Sequence, residues 1–246
     1  MLDHPATLAA ILGTFLLAGG VKGVIGLGLP TVTLAILTVV LDLASAMALL
    51  LIPSFATNLW QALIGGHGRA LLRDHWPFFA VATVTVALGG LALNRVDHGL
   101  LRMLLGLLIV AYAGVSLAGW RPRIAAAQAR VLGPAMGALN GVFTGMTGSF
   151  VVPGVLYLNA LGLSRDALVQ AMGILFTLAT AALALTLAGA GRLSADLGLA
   201  SLVGLPPAIL GMAAGQWLRK RLSEAVFRRV FFVSLLALGG YIVAGA

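Results

Sequence analysis

The chain has 246 residues, 61% of them hydrophobic and 9% charged, with a mean hydropathy of +1.08 and a formal charge of +8 from 15 Lys/Arg against 7 Asp/Glu. Soluble domains carry about 25% charged residues. A soluble fold of this size could not cover its surface with so few, so lipid must be the solvent, and the chain is an integral membrane protein. Cysteine is absent, which excludes disulfides and thiolate chemistry. The basic residues sit in short breaks between apolar runs, where they set topology rather than meet nucleic acid.

The chain opens with MLDHPATLAAILGTFLLAGG, which has the apolar length of a signal peptide. Its start carries Asp3 and His4 in place of a basic segment, so it is expected to be retained. A helix needs about 20 apolar residues to cross a bilayer core. The 37 residues from Pro5 to Leu41 carry no charge except Lys22 and are too long for one helix, yet short for two full crossings. Glycine and proline near the middle, in GGVKGVIGLGLP (19–30), give a place to stop and reverse. The uncharged runs 43–66, 76–94 and 103–120 then suit one crossing each. After the basic stretch WRPRIAAAQARV (120–131) comes a second overlong run, 131–164, followed by 167–191, 197–218 and 230–246.

The order therefore repeats: an overlong broken run and three ordinary ones, twice. Local sequence agrees, since GVIGLGLP (23–30) resembles GVFTGMTGSFVVP (141–153), and DLASAMALL (42–50) resembles GLSRDALVQ (162–170). Residues 1–121 read as a first repeat, 122–130 as a basic cytoplasmic linker and 131–246 as a second repeat. If each overlong run is a hairpin returning to its starting side, Arg69, Arg73, Arg121, Arg123, Arg130, Arg165, Arg219, Lys220, Arg221, Arg228 and Arg229 share one face, against Arg95, Arg102 and Arg192 on the other. A single crossing per overlong run gives a much weaker bias, so the hairpin arrangement is favoured. Two short full crossings would give the same count. Each repeat then crosses an odd number of further times, which inverts the second repeat and places both termini outside the cytoplasm. The fold class is an all-α polytopic membrane protein of two inverted repeats, each a glycine-broken helical hairpin plus three transmembrane helices, a recurring transporter plan.

Non-helical backbone at membrane depth persists only where protein or a water-filled cavity satisfies it. Helix N-termini after such breaks carry partial positive charge and favour an anion. Lys22, beside the first tip, adds a full charge; an intramembrane lysine is a functional-site hypothesis by default, against the plainer reading of a side chain snorkelling to the interface. Backbone amides at 23–31, including Gly23, Gly26, Gly28 and Thr31, and at 145–150, including Gly148, would form the cradle. Asn140, Thr144, Thr147 and Ser149 supply small donors at the second tip, although such residues often serve helix packing alone. Asn58 and Gln61, three apart on one helix face, and Gln170 in the matching helix fit substrate lining and interhelical bonding equally well. Gly137, Gly141 and Gly145, like Gly211 and Gly215, are spaced by four for close helix packing. WLRKRLSEAVFRRV (217–230) reads as a cytoplasmic anchor ahead of an anionic-lipid site. His67, Asp74 and His75 lie at no diagnostic metal spacing. All seven acids fall in loops or run ends, away from any deep cation or proton site, and TGSF lacks an evident base for hydrolysis.

These residues resemble a known family. A glycine-rich, proline-followed stretch early in each half, with the helix AMALLLIPSFATNLWQAL, is similar to the TauE/SafE sulfite and organosulfonate exporters over essentially the whole chain. The resemblance implies a transporter of the bacterial cytoplasmic membrane for small sulfur-containing anions such as sulfite, thiosulfate or sulfonates. The sequence departs from the family's commoner GxGGG form, with Gly26, Gly28 and Leu29 in one half and Gly145, Thr147 and Gly148 in the other, which reshapes the tips. The expectation is a secondary transporter with an anion site where the two tips approach, no catalytic residues, no metal and no cofactor. Its partners are a small anionic substrate and membrane lipid, not nucleic acid, and a homodimer also fits. A passive anion channel and a structural or assembly membrane protein are the alternatives.

Overall fold

A computed structural model describes residues 4–120, 122–221 and 223–245, apart from the side chains of Asn94 and Glu224. Asp3 and Arg121, both used in the sequence argument, lie outside the described residues. In chain order the helices are α1 (Pro5–Ile25), α2 (Leu29–Val40), α3 (Leu43–Leu49), α4 (Leu51–Leu63), α5 (Gly68–Gly90, continued by a 3-10 turn Leu91–Asn94), α6 (His98–Leu117), α7 (Ala126–Thr147), α8 (Gly154–Ala160), α9 (Arg165–Gly189), α10 (Ala195–Arg219) and α11 (Glu224–Ala244). Among the described residues there is no strand. Six helices are long and apolar enough to cross a membrane, and α3 with α4, bent by 45°, makes a seventh. The chain is an all-helical, multi-pass membrane protein.

The two overlong runs break at glycine, but later and more unequally than a symmetric hairpin would. α1 has 21 residues and α2 has 12, while α7 has 22 and α8 has 7. At 1.5 Å per residue the first arm of each is about 32 Å long, a full bilayer core. The expected tips at 23–30 and 141–149 shrink accordingly. Gly23 and residues 141–147 are helical, and the irregular backbone is confined to 26–28 and 148–153. The cause is local: Gly26 (φ 89°) and Gly148 (φ 73°) take the left-handed conformation that ends a helix.

Two aspartates and two serines cap helix N-termini. Asp42 accepts from Ser45 N–H at 2.9 Å, Asp97 from the N–H groups of Gly99 and Leu100, Ser164 from Ala167 and Ser194 from Leu197. Burial alone would raise the Asp42 carboxyl, but hydrogen bonds from Ser45 and neighbouring backbone N–H groups hold it below its ordinary value. The bend between α3 and α4 is mended by a side chain the sequence reading passed over. Ser201 Oγ donates to Leu49 O at 2.8 Å and accepts from Ile52 N at 3.1 Å, satisfying both sides of the break.

The chain forms two compact units. One comprises Met1–Pro53, Val96–Gly119 and Gly191–Ala246; the other comprises Ser54–Arg95 and Trp120–Ala190. Neither is a sequence half, because each takes helices from both. In the first unit α1 packs along α10 and α6 along α11; in the second α5 packs along α7 and α9. The broken helices α1 and α7 thus each lie on a long helix from the other sequence half. Glycine makes this closeness possible. A Cβ at Gly19 or Gly23 would overlap the carbonyl oxygens of Ala208 or Met212, and one at Gly211 or Gly215 those of Leu16 or Gly20. In the second unit Gly141, Gly145 and Gly89 face the carbonyls of Ala82, Val86 and Val142 in the same way. The four-residue glycine spacings are backbone-to-backbone seams.

Candidate functional site

In the first unit the break follows Lys22. The Gly26 N–H closes α1 on Lys22 O at 2.7 Å, Gly28 (φ 112°) is the N-cap of α2, and Pro30 fixes the start of the new helix. Lys22 is 4% exposed, and it is the one charged side chain that is buried among the described residues. It lies in the last turn of α1, where a cation offsets the negative helix end. The first turn of α2 presents N–H groups with no intrahelical partner, those of Leu29 and Thr31 among them. Both residues are buried, as are Leu27 and Gly28. Thr33 Oγ1, one turn on, is buried without a hydrogen-bond partner. The sequence reading missed Thr33, because a threonine in a β-branched apolar run carries no distinguishing signal.

In the second unit Asn140, Thr144 and Thr147 fall on one face of α7, and all three are fully buried. Two hydroxyls are committed to stitching the break. Thr144 Oγ1 donates to Ser149 O at 3.0 Å, and Thr147 Oγ1 donates to Phe143 O at 2.7 Å while accepting from Ser149 N at 3.2 Å. Asn140 Oδ1 accepts from Gly154 N at 2.9 Å, which fixes where the chain resumes as α8. That leaves the Asn140 amide nitrogen, buried and without a partner, as a donor in reserve. An unsatisfied amide N–H in an apolar interior is unfavourable by about 1–3 kcal/mol.

The amides expected beside these tips behave differently. Gln170 Oε1 accepts from His67 N at 2.7 Å and its Nε2 donates to Ala62 O at 2.8 Å, while Gln61 Nε2 donates to Val169 O at 2.7 Å. The two glutamines clasp the end of α4 to α9. Gly65 and Gly68 leave room for the Gln170 amide, since a Cβ at Gly65 would come within 2.8 Å of Gln170 Oε1. Of the two roles open to Gln61 and Gln170, this is interhelical bonding to backbone. Asn58 is buried on the same helix as Gln61 and has a partner of its own. The cradle amides likewise shift. Residues 23–25 and 145–147 are inside helices, so the irregular backbone starts at Gly26 and Gly148.

A buried lysine at a glycine break, a second break lined by hydroxyls and an amide, and helices of membrane-crossing length meet in one chain. The family model that matches it is the sulfite exporter TauE/SafE, over residues 11–242. The chain belongs to the TauE/SafE family. A search of curated proteins and one of solved structures found no match. Both breaks fall within the matched span, and membership points to a membrane transporter of sulfur anions. TauE/SafE is a transporter family.

Proposed function

We propose that this TauE/SafE protein is a secondary transporter of a bacterial cytoplasmic membrane that exports a small sulfur oxyanion or organosulfonate, of the sulfite, thiosulfate or sulfoacetate class. The observation that carries this reading is Lys22, buried one turn before a helix break whose next helix opens with N–H groups lacking intrahelical partners. A buried cation beside a helix N-terminus favours an anion. Several diverging N–H donors suit a guest with several oxygens better than a monatomic halide. The buried polar side chains among the described residues are hydroxyls, amides and Lys22, which is a donor-rich set. That set includes Asn140 and Ser149 at the second break, and family membership points to an anion containing sulfur.

The test is thermal unfolding of the purified protein against sulfite, thiosulfate, sulfoacetate, taurine, sulfate, carboxylates and chloride, followed by flux into proteoliposomes. A ligand at a hundred times its Kd adds about 2.7 kcal/mol of stability. One or more sulfur anions are expected to stabilise the protein while chloride does not, and the same anions should show saturable counterflow. Unsaturating flux without counterflow would make the protein a channel, and silence across the panel would remove the anion reading.

Topology is part of the same proposal. Glycine breaks recur in both halves, and each broken helix packs on a long helix of the other half, which supports reading 1–121 and 131–246 as inverted repeats joined by a cytoplasmic linker. Alternating access about midplane breaks follows the plan of such transporters. The chain contains no cysteine, so it is already the background for single-cysteine labelling. His67→Cys and His98→Cys both place a thiol at an exposed position. In intact cells an impermeant maleimide is expected to label His98→Cys and spare His67→Cys until the membrane is opened. The reverse pattern would invert the topology, and equal labelling of the two would put both loops on one side.

A further inference from the structure

The turn between α10 and α11 is more than a topological anchor. Arg219, Lys220, Arg221, Arg228 and Arg229 lie within eleven residues, and all but the half-buried Arg228 are exposed. These five cations are concentrated at one end of α10 and α11. The Arg221 guanidinium lies 4.1 Å from the centroid of the Trp217 ring, and Arg228 lies 5.9 Å from the centroid of Phe232. Stacking occupies a guanidinium's face and leaves its N–H edge free, which is the edge that grips a phosphate in bidentate fashion. Trp217 is itself 55% exposed, as befits a ring at the headgroup level. Large apolar side chains continue outward from the same two helices: Leu210 and Leu218 on α10, and Val226, Val230 and Val233 on α11. α10 packs on α1 and α11 on α6, so this turn joins two helices with different partners.

A stacked arginine, further exposed cations and an interfacial tryptophan, set over exposed aliphatic flanks, complement one kind of molecule. We propose that the basic residues at the end of α10 and the start of α11 bind the phosphate of an anionic glycerophospholipid, with Arg221 as the gripping residue and the α10 and α11 flanks against its acyl chains. The test reads retained lipid and does not depend on any transported anion.

The protein is reconstituted in equimolar phosphatidylglycerol and phosphatidylcholine and re-extracted in mild detergent, and the lipid that remains bound is quantified. Phosphatidylglycerol is expected to be enriched at least about fivefold, the factor contributed by one basic side chain at an anionic surface. The variant R219Q/K220Q/R221Q should lose that enrichment, whereas R69Q/R73Q, which removes two cations from the first turns of α5, should keep it. Arg221→Lys conserves charge and removes the fork, so it should lie between wild type and the triple variant; it also serves should the triple variant fail to fold. Equal retention of the two lipids by wild type overturns the proposal. So does enrichment that survives the triple variant, or that falls equally in R69Q/R73Q, since charge without a site would explain it. An Arg221→Lys variant indistinguishable from wild type removes the role assigned to the guanidinium.

Discussion

Substituting Lys22 with methionine is expected to abolish the stabilisation of the protein by its sulfur anion and to reduce transport to background, while the unliganded protein still folds. Methionine keeps the length and apolar stem of the side chain and removes the charge. Two unit charges 4 Å apart at an effective dielectric of 20 interact by about 4 kcal/mol, or roughly a thousandfold in Kd. That is larger than the approximately 1 kcal/mol of any one neutral hydrogen bond at the breaks. Methionine keeps the buried apolar contacts of the lysine stem, so the loss should fall mainly on the ligand-dependent term. Unfolding of wild type and Lys22→Met, each with and without anion, separates the two. If the anion response survives in Lys22→Met, the lysine serves the end of α1 alone. If the unliganded variant loses several kcal/mol, Lys22 is a structural group, and the anion must be held by the amides of α2 or by Asn140.

What could be read from the sequence followed from the strength of each physical constraint. Hydropathy fixed the membrane class and nearly every crossing, because no other arrangement hides that much apolar surface. Both breaks were legible because a glycine-rich, proline-followed stretch in an uncharged run leaves few other outcomes. Their bounds were not, since Gly23, Gly141 and Gly145 serve helix seams while Gly26 and Gly148 end helices. Residue type alone does not distinguish these two uses. The amides were the weakest point. Gln61 and Gln170 are polar residues in apolar helices, which is equally the signature of a lining residue, and only the positions of Val169 O, Ala62 O and His67 N reveal the clasp. Nor did the sequence indicate that the compact units would cut across its own halves, because that depends on which glycine ridge meets which, a long-range fact.

The seam along α1 yields the second large effect, as a contrast within one helix. Gly13 and Gly19 are both interior to α1. Replacing glycine by alanine in a helix is ordinarily favourable by about 1 kcal/mol, because it restricts the unfolded backbone. At Gly13 a Cβ meets nothing within 4 Å, so Gly13→Ala is expected to match or exceed wild-type stability. At Gly19 the same Cβ runs into the carbonyl of Ala208, and the obstacle is backbone, which no rotamer change can move aside. α1 and α10 must then separate along the seam that Gly23, Gly211 and Gly215 also form. Overpacking of this kind destabilises by about 1–3 kcal/mol and sometimes more, which outweighs the helix-propensity gain. The two variants are therefore expected to differ by about 2 kcal/mol or more in denaturant unfolding, with Gly19→Ala below wild type and Gly13→Ala not below it. Lys22 stands between Gly19 and Gly23 on this helix, so Gly19→Ala should also weaken the anion response, which Gly13→Ala leaves intact. Equal stability of the two variants would mean that α1 and α10 are not in backbone contact, and the placement of Lys22 by that seam would fall with it.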